Sequence, residues 1–277
     1  MNAETTVMKY IDAWKATISL ARSPLVWVPF AILAVLKAVP LVLLYLFWKP
    51  SFSDFMLPVI QSVFGERMTH YPMHVLKLPD MYRAVDMGVT LVFGFVLLGW
   101  AVIMMIDRLE RNSGRFERNA APTLFFVPAL LVLGFMFVLG VQGIPAWVSH
   151  VNESITSQKL QMLLTLAGLG ASLLVKGLLV YCPSYLVLSR GQIAGALGKG
   201  WRSARTWGWL TAMIVLTGWG MTVPLNHLLS QPDHLIQKWG PGVVFGLLMA
   251  NILLGSLEFF YLFGSATSII VAKSERA

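Results

Sequence analysis

The chain has 277 residues, of which 57% are hydrophobic and only 12% are charged, and its formal net charge is +8. Ordinary soluble domains carry about a quarter charged residues, so this composition excludes that class and indicates a membrane protein. The basic residues cluster at the edges of apolar runs, where they would face anionic headgroups, and we expect no nucleic-acid partner. The one cysteine, Cys182, excludes an intrachain disulfide and any multi-cysteine metal site.

The chain opens with a predicted interfacial helix within residues 1–23. Val7, Ile11, Trp14 and Ile18 recur at helical spacing on one face, and charged residues occupy the other. No cleavage site for a signal peptide follows, so we expect the first apolar run to remain as an anchor. Six runs are long enough to cross a hydrocarbon core of about 30 Å. We place the spans at 24–48, 85–106, 123–144, 160–189, 210–229 and 243–272.

Residues 49–84 form the longest connection between spans. Its first part has the helical periodicity of a second surface helix, which we expect to bend or break at Pro58. The following stretch, 65–80, is polar and contains two prolines, and we predict an ordered loop there. The fourth span is long, and we expect a kink near Pro183. The predicted fold class is therefore all-α: a six-helix membrane bundle with interfacial helices, forming one membrane domain over 1–277.

The distribution of Lys and Arg predicts the orientation of the chain. The N-terminal segment, the loops 107–122 and 190–206 and the C-terminal tail together carry thirteen of these residues. The alternate segments, including 49–84, carry six. Because basic residues favour the cytoplasmic side, we expect both termini in the cytoplasm of a bacterial inner membrane.

The stretch 190–209 is basic, contains tryptophan and separates two apolar runs. Ile193, Leu197, Trp201 and Ala204 are predicted to form its apolar face. A segment of this kind is typical of a helix at the cytoplasmic membrane surface, with anionic headgroups as its partner. The basic residues that we expect to contact the headgroups are Arg190, Lys199, Arg202 and Arg205.

Ionisable residues near the middle of the spans are the strongest candidates for a functional site. Lys37, Lys176 and Glu258 each lie far from both ends of their span, and Asn251 shares a helical face with Glu258. Such residues are costly in a bilayer unless they are paired or hydrated. They could form a polar cavity for an anion or an ion-coupled path, a Lys–Glu pair that fixes helix register, or lysines that extend to the interface.

The five histidines form a second pattern, because all of them fall on the predicted outer side. Histidine ligates metals and haem, although no cysteine or carboxylate cluster completes a site here. A docking surface for an extracytoplasmic partner is the alternative. The candidates are His70, His74, His150, His227 and His234.

The sequence Y-C-P-S-Y-L-V-L-S-R-G-Q-I-A-G-A-L-G-K-G-W-R-S-A-R-T-W-G-W-L, from residue 181 to 210, carries a family resemblance. A span ends in a Tyr- and Pro-containing patch, and an Ala-rich helix with Trp-x-x-x-Arg leads into the next span. This resembles the YciC-like group of six-span bacterial membrane proteins and the membrane domain attached to some glycerophosphodiester phosphodiesterases. With the segment before the first span, it covers about a third of the chain. The resemblance implies a six-helix membrane domain without catalytic residues.

The functional expectation is a non-enzymatic scaffold, or subunit of a larger membrane complex, with a protein partner or a second copy. No phosphate-binding loop, G-x-S-x-G motif or H-E-x-x-H motif occurs in the sequence. One alternative is a transporter for a small anionic or amphipathic substrate that uses the charges within the spans. Another is a cofactor-bearing subunit of an electron-transfer chain that uses the outer histidines. The sequence identifies no cofactor.

Overall fold

The structure is a computed structural model that describes residues 3–47, 49–70, 73–112, 127–189 and 192–274. Regular secondary structure in these ranges is entirely helical. Six helical segments there are long and apolar enough to cross a membrane, which confirms the predicted fold class of a multi-pass all-α membrane protein. The six segments are Pro24–Leu46, Leu78–Arg111, Val127–Asn152, Gln158–Leu188, Gly208–Leu229 and Gly242–Lys273.

The helices are numbered in chain order, with π-helical turns interrupting two of the spans. The first seven helices are α1 (Ala3–Ala21), α2 (Pro24–Leu46), α3 (Pro50–Phe64), α4 (Met73–Leu76), α5 (Leu78–Val89), α6 (Phe95–Asn112) and α7 (Val127–Val138). The remainder are α8 (Ile144–Glu153), α9 (Gln158–Leu179), α10 (Cys182–Leu188), α11 (Ile193–Thr206), α12 (Gly208–Leu229), α13 (Pro232–Trp239) and α14 (Gly242–Ser274). The π-helical turns cover Thr90–Gly94 and Leu139–Gly143.

The second span begins at Leu78, seven residues before the start that the sequence suggests. Pro79 fits the first turn of a helix, where its missing N–H costs no hydrogen bond. Leu78, Met81 and Tyr82 on this turn are buried. The segment 65–80 is thus partly helical, with a 3₁₀ turn at Glu66–Thr69 followed by α4 and the start of α5.

Helix α3 continues through Pro58, where a bend or break was predicted. Pro58 itself is exposed, and its ring removes one hydrogen bond from the helix. Met56 and Ile60, on either side of it, are buried and hold the helix on the protein. The helix ends before Gly65, whose φ of 87° favours glycine.

The fourth span is interrupted where the sequence predicts a kink. Helix α9 ends at Leu179, and α10 begins at Cys182, one residue before Pro183. Proline in the first turn of α10 starts that helix without an unsatisfied N–H. The span is therefore two helices joined by a turn.

The described residues form two compact units. Unit 1 draws on Met1–Phe30, Thr90–Gly218 and Phe259–Ala277, and unit 2 on Ala31–Val89 and Trp219–Glu258. Each unit combines segments that are distant in the sequence.

Pairs of hydroxyl groups join the helices of unit 1. Ser184 on α10 shares a 2.8 Å hydrogen bond with Thr267 on α14, and Tyr181 shares one of 2.9 Å with Thr211 on α12. Close packing at small residues adds to this network. Gly140 lies in the π-helical turn between α7 and α8. A Cβ at this position would collide with the side chain of Val175 on α9, so the turn and α9 approach closely at this glycine.

Helix α1 is held on unit 1 by one of its faces. Thr17 shares a 3.1 Å hydrogen bond with Ser265 on α14, and Tyr10 shares one of 2.9 Å with Thr217 on α12. Ala13 and Leu20 on the same face are buried. The predicted apolar face and the charged face of α1 are both exposed. A third face of the helix, between them, makes the contacts with the protein.

Unit 2 has an apolar core built from helices that approach from both sequence segments. Its members share near-complete burial, and they come from α2, α3, α5, the end of α12, α13 and the start of α14. The core includes Leu41, Leu44, Phe47, Met56, Ile60, Leu78, Leu229, Leu235, Val244 and Leu248. This packing positions the buried polar groups of unit 2.

Candidate functional site

An ion pair joins two spanning helices of unit 2. Lys37 Nζ on α2 lies 2.9 Å from Asp86 Oδ1 on α5, and the two side chains are only 12% and 21% exposed. Tyr82, one turn before Asp86, donates its hydroxyl to the same carboxylate at 3.4 Å. A buried charge in a membrane span is stable when it has such partners. The arrangement fixes α2 against α5.

Glu258 is the second buried ionisable group of unit 2. Its side chain on α14 is buried, and its Oε2 accepts a hydrogen bond of 3.1 Å from the hydroxyl of Thr222 on α12. Asn251, which shares its helical face, is half-buried on α14. Glu258 therefore connects α14 to α12 within this unit.

The predicted intramembrane cluster is thus distributed over several contacts. The structure pairs Lys37 with Asp86 and places Thr222 against Glu258, whereas Lys176 is buried on α9 in unit 1. Asp86 and Tyr82 were missed by sequence reasoning. Asp86 is the second residue of the predicted span, where a carboxylate is ordinarily assigned to the headgroup region. Because α5 already begins at Leu78, Asp86 lies two turns inside the helix.

The five histidines lie on separate elements. His150 on α8 belongs to unit 1, and the other four belong to unit 2. His70, His227 and His234 are exposed, whereas His74 packs edge-on against Phe47 at a ring distance of 5.4 Å. Burial lowers the pKa of His74 below its ordinary value because the charged imidazolium is poorly solvated there. Within the described ranges, no group of three His, Cys, Asp or Glu side chains could hold a metal ion.

Helix α11 exposes three of the basic residues that were singled out in the sequence. Lys199, Arg202 and Arg205 are exposed, and Arg190 lies outside the described residues. Of the residues predicted to form the apolar face, Ala204 is buried, Ile193 and Leu197 are half-buried and Trp201 is exposed. The buried residues of α11 also include Gly200 and Ser203. Small residues were required, since a Cβ on Gly200 would lie 2.7 Å from the sulfur of Cys182 on α10.

A cavity of about 350 Å³ in unit 1 was not suggested by any sequence pattern. Helix α1 contributes Lys9 and Asp12, the start of α12 contributes Leu210, and the end of α14 contributes Lys273. Trp207, between α11 and α12, forms part of the wall, and the ammonium of Lys273 lies 5.3 Å from its ring centre. We call this cavity the Lys9–Lys273 pocket. Its walls combine residues near both ends of the sequence, 9–16 and 268–273, with residues 206–210, so periodicity along the chain could not reveal it.

Comparison of this chain with protein-family models, with curated proteins and with solved structures finds no match.

Proposed function

We propose that this multi-pass membrane protein is a non-enzymatic scaffold or subunit of a larger complex in a bacterial cytoplasmic membrane, with both termini in the cytoplasm. The observation that carries the proposal is a row of exposed apolar side chains on α3. Phe55, Val59 and Val63 follow one another at four-residue spacing and are 72%, 45% and 65% exposed. Met56 and Ile60 of the same helix are buried in the core of unit 2, and this packing fixes the position of the row.

The composition of α3 favours a protein over a lipid surface as its partner. Helices that bind headgroups are rich in Lys and Arg on their polar face. Residues 50–64 contain neither and carry Asp54. By contrast, α1 and α11 expose lysines and arginines. Apolar anchors at four-residue spacing fit the groove or facing helix of a protein partner. We therefore propose that the row on α3 contacts an apolar helix of a second protein in the same membrane.

The buried polar groups of unit 2 support a structural role for the spans. Lys37 with Asp86 and Thr222 with Glu258 each join two different helices. Buried charges are best attested as devices that fix register between elements. A bundle held by such contacts suits a scaffold. The resemblance to the YciC-like group belongs to the same proposal, since it implies a membrane domain without catalytic residues.

Photo-crosslinking in the source membrane tests the contact surface. A photoreactive phenylalanine derivative is placed at Phe55, Val59 or Val63, and matched controls carry it at Asp54 or Gln61, exposed positions on another side of α3. We expect a discrete protein adduct from the row and none from the controls. Adducts to lipid alone at all three row positions would contradict the proposal.

A transporter of small anionic or amphipathic substrates is the second candidate, favoured by the burial of Lys176 and Glu258 within helices of spanning length. Proteoliposomes that contain the purified chain test it with a series of organic anions. The variants Lys176→Met and Glu258→Gln should abolish uptake if these groups bind the substrate. Uptake at the rate of empty liposomes for the whole series would remove this candidate.

A further inference from the structure

The chemistry of the Lys9–Lys273 pocket is divided between charge and hydrocarbon. Two ammonium groups, from Lys9 and Lys273, and one carboxylate, from Asp12, give the lining a net charge of one positive. Much of the rest is apolar, with Leu210 and Ile269 among the wall residues. Such a lining suits a ligand that carries an anionic group at one end and hydrocarbon at the other.

The two hydroxyl groups of the lining are engaged within their own helices. Thr206 donates to the carbonyl of Arg202 at 2.7 Å, and Ser268 donates to that of Ser265 at 2.8 Å. The charged donors that a ligand anion would meet are the two ammonium groups. The ammonium of Lys273 lies above the Trp207 ring, a cation–π position that holds the charge at the pocket wall.

The position of the pocket along the spans corresponds to the headgroup region. Helix α12 starts at the pocket and has 22 residues, a length of roughly 33 Å, which is close to the hydrocarbon thickness. Its first turn therefore lies near the edge of the core. Lys273 ends a spanning segment of 32 residues, roughly 48 Å, which must extend beyond the core. Tryptophan and lysine at the ends of spans are typical of this boundary.

We infer that the Lys9–Lys273 pocket binds one anionic glycerophospholipid, with its phosphate near the two ammonium groups and its acyl chains along the apolar wall. The net positive lining favours a lipid with one negative charge over a zwitterionic one. A volume of about 350 Å³ holds a headgroup and the first part of the chains, and it falls in the range of ligand pockets, about 300–1,000 Å³. The lining includes no residue of α3, so the inference does not depend on the proposed protein contact.

Lipid titration of the full chain, followed by native mass spectrometry, tests this site. Phosphatidylglycerol and phosphatidylcholine with identical acyl chains are compared on the purified protein. We expect one phosphatidylglycerol to bind at least about tenfold more tightly than phosphatidylcholine. The double variant Lys9→Gln/Lys273→Gln should weaken phosphatidylglycerol binding by about tenfold or more, because each lysine near an anionic group contributes roughly one factor of five.

The control removes the same charge from positions outside the pocket. Lys15→Gln/Lys159→Gln changes two exposed lysines on α1 and α9, and it should leave the affinity within about twofold of the original. Ala272→Trp fills the pocket while keeping its charges, and it should also prevent lipid binding. Thermal unfolding of each variant in detergent establishes that it is folded.

Three results would overturn the inference. Equal binding of the two lipids would exclude selection by charge. Equal losses in the pocket variant and in the control variant would assign the effect to the general surface charge. Displacement of phosphatidylglycerol by inorganic phosphate at the same concentration would show a site for a free anion, without a contribution from the acyl chains.

Discussion

Lys37 and Asp86 form a 2.9 Å ion pair between α2 and α5, with Tyr82 as an additional donor to the carboxylate. Both side chains are largely withdrawn from solvent. The desolvation of two charges is costly, and the pair offsets this cost only while both partners are present. The removal of one partner therefore has a different effect from the removal of both.

Lys37→Met is expected to lower the free energy of unfolding by about 2–3 kcal/mol, because Asp86 then lies in the span without its cation. Lys37→Met/Asp86→Leu should recover most of this loss, since neither charge remains. Reversible unfolding in detergent, arranged as a double-mutant cycle, measures the coupling. Lys77→Met is the control, because the Lys77–Asp80 pair is exposed and contributes about 1 kcal/mol or less. Additive effects of the two single changes would refute a stabilising pair.

The sequence predicted the helices well because spanning segments are set by length and apolar content, which are local properties. It missed Asp86 because the start of α5 depends on the burial of Leu78 and Met81 in the core of unit 2. Local polarity pointed to a loop there. The burial of Gly200 and Ser203 on α11 was missed for a related reason: tight packing selects small residues, whereas a hydrophobic pattern selects large ones.

The Lys9–Lys273 pocket depends on tertiary structure in the same way. Asp12 and Lys273 belong to opposite ends of the chain, and each alone resembles an ordinary surface charge. Only the docking of α1 through Thr17 and Tyr10 brings their segments together. The basic character of α1 and α11 could be predicted, but the cavity could not.

His74 is expected to make stability depend on pH. Burial lowers its pKa in the folded protein, while the unfolded chain titrates at about 6.5. Between these two values the unfolded chain binds more protons, so the free energy of unfolding is at its full value above about pH 6.5 and falls below it. Thermal unfolding at a series of pH values should show a smaller decrease for His74→Gln. His70→Gln, at an exposed position, serves as the control, and an equal change in both variants would contradict the assignment.

Gly140 is expected to be required for the approach of its helix to α9. Gly140→Ala places a methyl group into Val175 and should cost about 1–3 kcal/mol of stability. Val175→Ala removes the obstructing atoms, so the double variant should be more stable than Gly140→Ala alone. Gly170→Ala on α9 is the matched control, because its added Cβ meets nothing within 4 Å. A neutral effect of Gly140→Ala on the unfolding temperature would disprove the close contact.

The proposed orientation can be tested with introduced cysteines. The native thiol, Cys182, is buried and should give little background. Gln61→Cys on α3, away from the proposed contact row, and Arg205→Cys on α11 place thiols at exposed positions. In intact cells a membrane-impermeant maleimide should label the α3 position, and the α11 position should react only after permeabilisation. The reverse pattern would invert the orientation.

Native mass spectrometry of the protein, extracted gently from its source membrane, tests the role in a larger assembly most directly. The expected mass exceeds the 30.7 kDa of the chain by at least one protein partner. Val59→Lys on α3 should release that partner and leave any lipid adduct in place. A lone chain of 30.7 kDa, with or without lipid, in a preparation that keeps other membrane complexes intact would contradict the scaffold proposal.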